Sequence, residues 1–227
     1  GDVYISDVAT TTYHTFVVVG AFSRSTDFDP SPNTYTINPA QDGYYDGYLA
    51  SYDSNFTSVS AYRLSGAAGT TAWDYVENVE IDNNNNIYLA GYSSSSTFYT
   101  DLFSTSSGQL NPNAAGNAFI LKYNYLLQRQ WGYLFTSNAF TDVYDLLVSY
   151  TNLYALVRCD GDFVDFDFSA NTANTNFNSN PGYALVKLDE NGAYGFHKAW
   201  QTPAANSFIE FNKVQLGANG ILISGSY

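Results

Sequence analysis

Short apolar runs recur along this chain at a nearly fixed interval. Phe16-Val-Val-Val-Gly20-Ala-Phe22, Ile87-Tyr-Leu-Ala-Gly91-Tyr92, Tyr154-Ala-Leu-Val-Arg158-Cys159 and Leu222-Ile-Ser-Gly225-Ser226 form one series. Their anchors Gly20, Gly91, Arg158 and Gly225 are 71, 67 and 67 residues apart. A second series keeps the same beat: Gly47 to Asp53, Ala118 to Asn124 and Tyr183 to Asp189, aligned without gaps. A third precedes each first run, over Val3 to Ala9, Tyr75 to Asp82, Asp142 to Tyr150 and Ile209 to Leu216. A fourth follows each second run, over Ser58 to Gly66, Arg129 to Ser137 and Gly195 to Thr202.

Each repeat therefore reads as four strands, A to D in chain order. Strands B and C are near-continuous apolar runs, which implies that both faces are covered. Strand D alternates, with Trp131, Tyr133 and Phe135 on one face and Gln130 and Gly132 on the other, as suits an outer strand with one wet side. Trp131 and Trp200, 69 residues apart, read as equivalent strand-D positions, and Trp73 falls in a D–A connection, where packing is expected over a solvent-facing ring that stacks on a sugar. The connections Asn83 to Asn86, Glu190-Asn-Gly192 and Ala218-Asn-Gly220 carry residues that tolerate positive φ or cap the backbone.

A four-stranded antiparallel sheet repeated at fixed period, and covered on both faces, fits the blades of a β-propeller. A β-sandwich would not need a 67-residue beat. The pattern predicts an all-β, β-propeller-type array: residues 1–70 as blade 1, 71–138 as blade 2, 139–204 as blade 3 and 205–227 as the first half of blade 4. About three and a half blades leave a ring incomplete, with a sheet edge and a blade face bare. The stretches 23–45, 94–116 and 160–181 between strands B and C are long enough to hold an extra hairpin or a binding surface.

The residues resemble the bacterial-type β-propeller repeat family often called SBBP. Asp82 to Tyr92 is similar to the family's turn and "vYvtGy" strand. Ser25-Thr-Asp-Phe-Asp-Pro30 and Val164-Asp-Phe-Asp-Phe168 resemble its "tvDFDpg" stretch, and Asn117 to Asn124 its "daFvaKyd" strand. The resemblance covers essentially the whole chain but is degenerate: Ser51 stands where Lys122 and Lys187 stand, and Arg158 replaces the strand-B glycine. It implies the fold more than a function, because such repeats occur in diverse surface and secreted proteins.

Composition narrows the setting. Aromatics at 18%, with 21 Tyr and 16 Phe, favour half-buried pleated surfaces. No apolar run approaches the roughly 20 residues of a membrane-spanning helix. Asp and Glu total 21 against 8 Lys and Arg, a net charge of −13, which argues against nucleic acid and anionic membranes. The acidic, Lys-poor, Asn/Ser/Thr/Tyr-rich composition points to an extracellular or cell-surface location. The single Cys159 makes no intrachain disulfide or zinc site and reads as a small buried strand residue. The chain opens on Gly1 with no signal peptide in view, and so reads as a processed product or a fragment.

Few residues suggest chemistry. Asp27 with Asp29, and Asp165 with Asp167, form Asp-x-Asp pairs, with Asp160 and Asp162 beside the second. On a strand, such pairs point to one side and could share a calcium ion with backbone carbonyls; equally, the carboxylates could accept backbone N–H bonds and cap the long loops. Asn55-Phe-Thr57 is an N-glycosylation sequon in the first C–D turn. His14 and His197 lack ligand-spaced partners. No phosphate loop, nucleophile elbow or HExxH motif appears. The leading expectation is a non-enzymatic structural or adhesive module of a larger surface protein, coat or fibre. It would need no obligatory cofactor, and would contact the rest of the propeller, neighbouring subunits or glycans. The alternatives are a carbohydrate- or calcium-binding propeller, and a propeller glycoside hydrolase or lyase with paired carboxylates near the axis.

Overall fold

The computed structural model describes residues 2–57, 59–69, 71–104, 107–161, 163–178, 180–202 and 209–226. These residues form strands and connections only, without a helix. The first repeat holds β1 (Val3–Thr10), β2 (Phe16–Phe22), β3 (Thr26–Asp27), β4 (Thr36–Ile37), β5 (Asp46–Tyr52) and β6 (Val59–Gly66). The second holds β7 (Asp74–Ile81), β8 (Ile87–Ser93), β9 (Phe98–Tyr99), β10 (Gln109–Leu110), β11 (Asn117–Tyr123), β12 (Arg129–Leu134) and β13 (Thr136–Ser137). The third holds β14 (Thr141–Ser149), β15 (Asn152–Cys159), β16 (Phe163–Asp165), β17 (Asn174–Asn176), β18 (Gly182–Asp189) and β19 (Tyr194–Gln201), and the last pair is β20 (Glu210–Gly217) and β21 (Gly220–Ser226).

All pairings are antiparallel. The orders β1-β2-β5-β6, β7-β8-β11-β12 and β14-β15-β18-β19 give sheets 1 to 3, and β20-β21 gives the two-stranded sheet 4. The apolar runs of strands B and C become the middle strands of each sheet, where both faces are covered. Buried residues cluster between consecutive sheets: Leu49 and Leu64 meet Val79, Leu89 and Leu121 between sheets 1 and 2. Ala90, Ile120 and Phe135 meet Leu146, Ala155 and Val186 between sheets 2 and 3, and Leu156 and Leu185 meet Val214 between sheets 3 and 4. The first strands of successive sheets lie side by side, β1 by β7, β7 by β14 and β14 by β20.

Every strand A carries a bulge at the same place. The register with strand B slips between Ile5 and Asp7, Val76 and Asn78, Val143 and Asp145, and Phe211 and Lys213. The residue before the slip pairs with Gly20, Gly91, Val157 and Gly225. Val157, not Arg158, therefore replaces the glycine: the third repeat is offset by one residue at this point. At the three glycines the bulge brings a strand-A carbonyl close to strand B, whereas Val157 shows that the same bulge is also built without glycine. A Cβ on Gly20, Gly91 or Gly225 would lie 1.8, 2.1 or 1.9 Å from the oxygen of Tyr4, Tyr75 or Glu210.

Two more features depart from the expected pattern. Trp131 pairs with Lys122 near the C–D turn, whereas Trp200 pairs with Tyr183 at the opposite end of its strand. They are not equivalent; Phe196, paired with Lys187, holds Trp131's position. Sheet 1 also has six strands instead of four. The hairpin β9–β10, from the long connection of the second repeat, crosses over and joins the edge of β6. The third repeat does the same: β16–β17 pairs with β13, the end of the preceding strand D beyond Phe135. Each long B–C connection thus holds a hairpin, and two of the three tie their repeat to the one before.

Candidate assembly surface

The seams between sheets follow one rule. The residue after each of the first three strand-A bulges reaches the next sheet: Asp7 Oδ2 accepts the Val79 N–H at 3.0 Å, and Asp145 Oδ2 accepts that of Val214 at 2.7 Å. Asn78, between them, donates its amide to the Val143 carbonyl at 2.7 Å. Lys122 Nζ and Trp131 Nε1 both donate to the Glu190 carbonyl of sheet 3, at 2.7 and 3.2 Å. The Asn85 side chain bonds Thr12 of sheet 1 through both its oxygen and its nitrogen. A sheet in this array is seated on its predecessor by apolar contact in the middle and directed polar bonds along strand A.

Sheet 1 has the same seating face with no described strand against it. Val8 occupies the position of Val79, Leu146 and Val214, as the pairings with Val18, Leu89, Ala155 and Ile223 show. Those three are at most 3% exposed, while Val8 is 55% exposed. Ile5, at the position of the fully buried Val76 and Val143, is 72% exposed. Beside them lies a groove of about 430 Å³ whose lining includes Val3, Ile5, Val18, Phe28, Tyr48 and Tyr52. The far face of sheet 4 is open too: Leu222, at the position of the buried Val17 and Tyr88, is 54% exposed. The repeat pattern by itself does not single out these residues. Val8, Val79, Leu146 and Val214 are apolar in every repeat, and that was the available signal.

Buried and half-buried carboxyls lie on strand A of sheets 2 and 3 and at the start of β5. Glu77, the extra residue of the second bulge, and Asp142 on β14 face each other, and burial with mutual repulsion drives the pKa of Glu77 up. Burial also raises that of Asp142. Glu80 is raised to about 7 by burial, then by Asp145 and Asp7, against the pull of Lys213. Lys213 Nζ contacts Asp145 Oδ1 at 2.8 Å. Asp46 is raised to about 7 by burial, opposed by the Ala40 N–H and by Arg63 at 3.7 Å.

The residues singled out in sequence sit elsewhere. Asp27 ends β3 and Asp165 ends β16, while Asp29 and Asp167 lie in the turns that follow. Asp27 Oδ1 accepts the N–H groups of Asp29 and Tyr35, and Asp165 Oδ1 those of Asp167 and Ala173. Asp29 and Asp167 in turn accept Ser31 and Ser169 N–H. The two loops are the same ladder of side-chain-capped turns, built on D-F-D-x-S-x-N. Asp160 grips Arg158 through two bonds of 3.0 Å, and Asp162 lies outside the described residues. Among the described residues no three His, Cys, Asp or Glu side chains gather as a metal set. Asn55 is exposed at its turn, where Asp53 caps the Asn55 and Thr57 N–H groups. Cys159 is buried between sheets 2 and 3, which pushes its thiol up. His197 sits between Thr175 and Tyr194, held neutral-leaning by burial and Lys198, and His14 occupies a turn at φ 59°. Trp73 is exposed.

No protein-family model matches this sequence, and no curated protein does.

Proposed function

We propose that this chain is a section of a β-propeller-type array, of the SBBP-like repeat class its residues resemble. In this reading it serves as a non-enzymatic structural module of a larger extracellular or cell-surface assembly. The observation that carries the reading is the open face of sheet 1. Position for position, it is the face through which sheets 2, 3 and 4 each receive a preceding sheet, and its strand-A side chains Ile5 and Val8 stand in solvent. The occupant it fits is another sheet of the same repeat.

The alternatives draw less support. The Asp-x-Asp carboxylates are engaged by backbone amides of their own loops. The raised Glu77–Asp142 pair lies in a seam between packed sheets, not in a cleft open to a saccharide. The test is carbene footprinting of native material beside the isolated chain, with intact mass and electron microscopy. Ile5, Val8 and Leu222 should be labelled in the isolated chain and shielded in the native assembly. Equal labelling in both sinks the proposal.

A further inference from the structure

The hairpin edge of the first repeat is placed to take a strand from outside. In the second repeat, β9 lies across the end of β6, with Ser65 opposite Tyr99 and Gly66 opposite Phe98. In the third, β16 lies across β13, with Thr136 opposite Asp165 and Ser137 opposite Val164. In both cases the preceding strand D ends in two small residues, and the hairpin extends it by backbone pairing.

The first repeat carries the same hairpin in the same position. Tyr52 Oη donates to the Phe28 carbonyl at 3.0 Å, as Tyr123 Oη on the equivalent strand donates to the Thr100 carbonyl at 2.5 Å. The Phe28 N–H bonds the Tyr35 carbonyl, as the Phe166 N–H bonds that of Ala173. These bonds fix Thr26 and Asp27 as the counterparts of Phe98 and Tyr99, and of Val164 and Asp165. Yet β3 pairs with β4 alone among the described strands.

We infer that β3 is a strand-acceptor edge. It adds to the end of an outer strand, closing in two small residues such as Ser-Gly or Thr-Ser, that belongs to a complete four-stranded sheet of this repeat seated on sheet 1. The inference rests on the proposed function and sharpens it. The seat selects a partner with a finished strand D, so it discriminates against any sheet that lacks its outer strand. Pairing also removes a free backbone edge beside an apolar groove.

The test joins an extra copy of residues 71–138 directly ahead of Gly1, which reproduces the residue spacing between the second and third repeats. Two readouts are taken: carbene labelling of Ile5 and Val8, and amide hydrogen exchange over residues 23–38. Seating and pairing together should shield Ile5 and Val8 and slow exchange at Thr26–Asp27 by about tenfold or more. Replacing Thr136→Pro and Ser137→Pro in the added copy alone should restore fast exchange at β3 while Ile5 and Val8 stay shielded. Shielding without slowed exchange overturns the acceptor edge and leaves the seating intact. Exposed Ile5 and Val8 in the unsubstituted fusion overturn the seating itself.

Discussion

A carboxyl with a raised pKa stores a pH dependence whose direction follows from linkage. Asp46 and Glu80 titrate near 7 in the fold and near 4 in the unfolded chain, and Glu77 and Asp142 are raised by the same burial. Between those values the folded state holds more protons than the unfolded one, so stability falls as pH rises. The melting temperature should therefore decline from pH 5 to pH 8, the reverse of a protein held by surface ion pairs. Asn117 shows how to isolate one contribution, because it takes the place of Asp46 in sheet 2 and accepts the Asn113 N–H at 2.8 Å as Asp46 accepts that of Ala40. Asp46→Asn should flatten the slope and add on the order of 2 kcal/mol at pH 8, measured by thermal melts across the range. A slope unchanged by the substitution would show that Asp46 is already ionised in the fold. None of this was legible in sequence, where Asp46 and Asp29 look alike; burial separates them, and burial depends on the neighbouring repeat.

At the scale of the element, three of the four strand-A bulges are matched to a glycine on strand B. Adding a methyl at Gly91 drives a carbon to 2.1 Å from the Tyr75 carbonyl, a backbone atom that cannot rotate away. Gly91→Ala should cost about 3 kcal/mol or more by urea unfolding, while Gly43→Ala, with open space around it but a φ of 87° that strains any side chain, should cost about 1–2 kcal/mol. Strands A to D were readable because continuous and alternating apolar runs map directly onto middle and outer strands. The counterpart of the glycine in the third repeat, Val157, was misplaced by one residue because equal spacing cannot see that the A–B turn there is one residue shorter, Val148 pairing with Leu153 where Ile81 pairs with Ile87. The tryptophans misled for a related reason. Shared residue type suggested shared place, but the C–D pairings slip between Lys122 and Tyr123 and between Lys187 and Leu188, and only the register tells which residue faces which. The D-F-D stretches were visible as a motif. That their oxygens would be taken by amides up to eight residues on required the loop's path.

For the whole molecule, the period predicted that each sheet shelters the next, and the seams between sheets 1 and 4 are where that holds. What period alone does not give is the crossing of the second and third hairpins to the preceding outer strand, a contact between segments about 30 residues apart with no shared local pattern. The consequence is a chain whose equivalent positions have unequal energies. Val8 and Val79 occupy the same place in consecutive sheets, one in solvent and one at 3% exposure against Leu89. Val79→Ser buries a hydroxyl and opens space in the seam, and should destabilise by about 2–4 kcal/mol; Val8→Ser should change stability by no more than about 0.5 kcal/mol in the isolated chain. Seating a further sheet on sheet 1 should abolish the difference. With residues 71–138 fused ahead of Gly1, Val8→Ser should become as costly as Val79→Ser is now. A Val8 that stayed neutral there would mean that its exposure belongs to the first sheet, and that the equivalence of the four positions ends at the register.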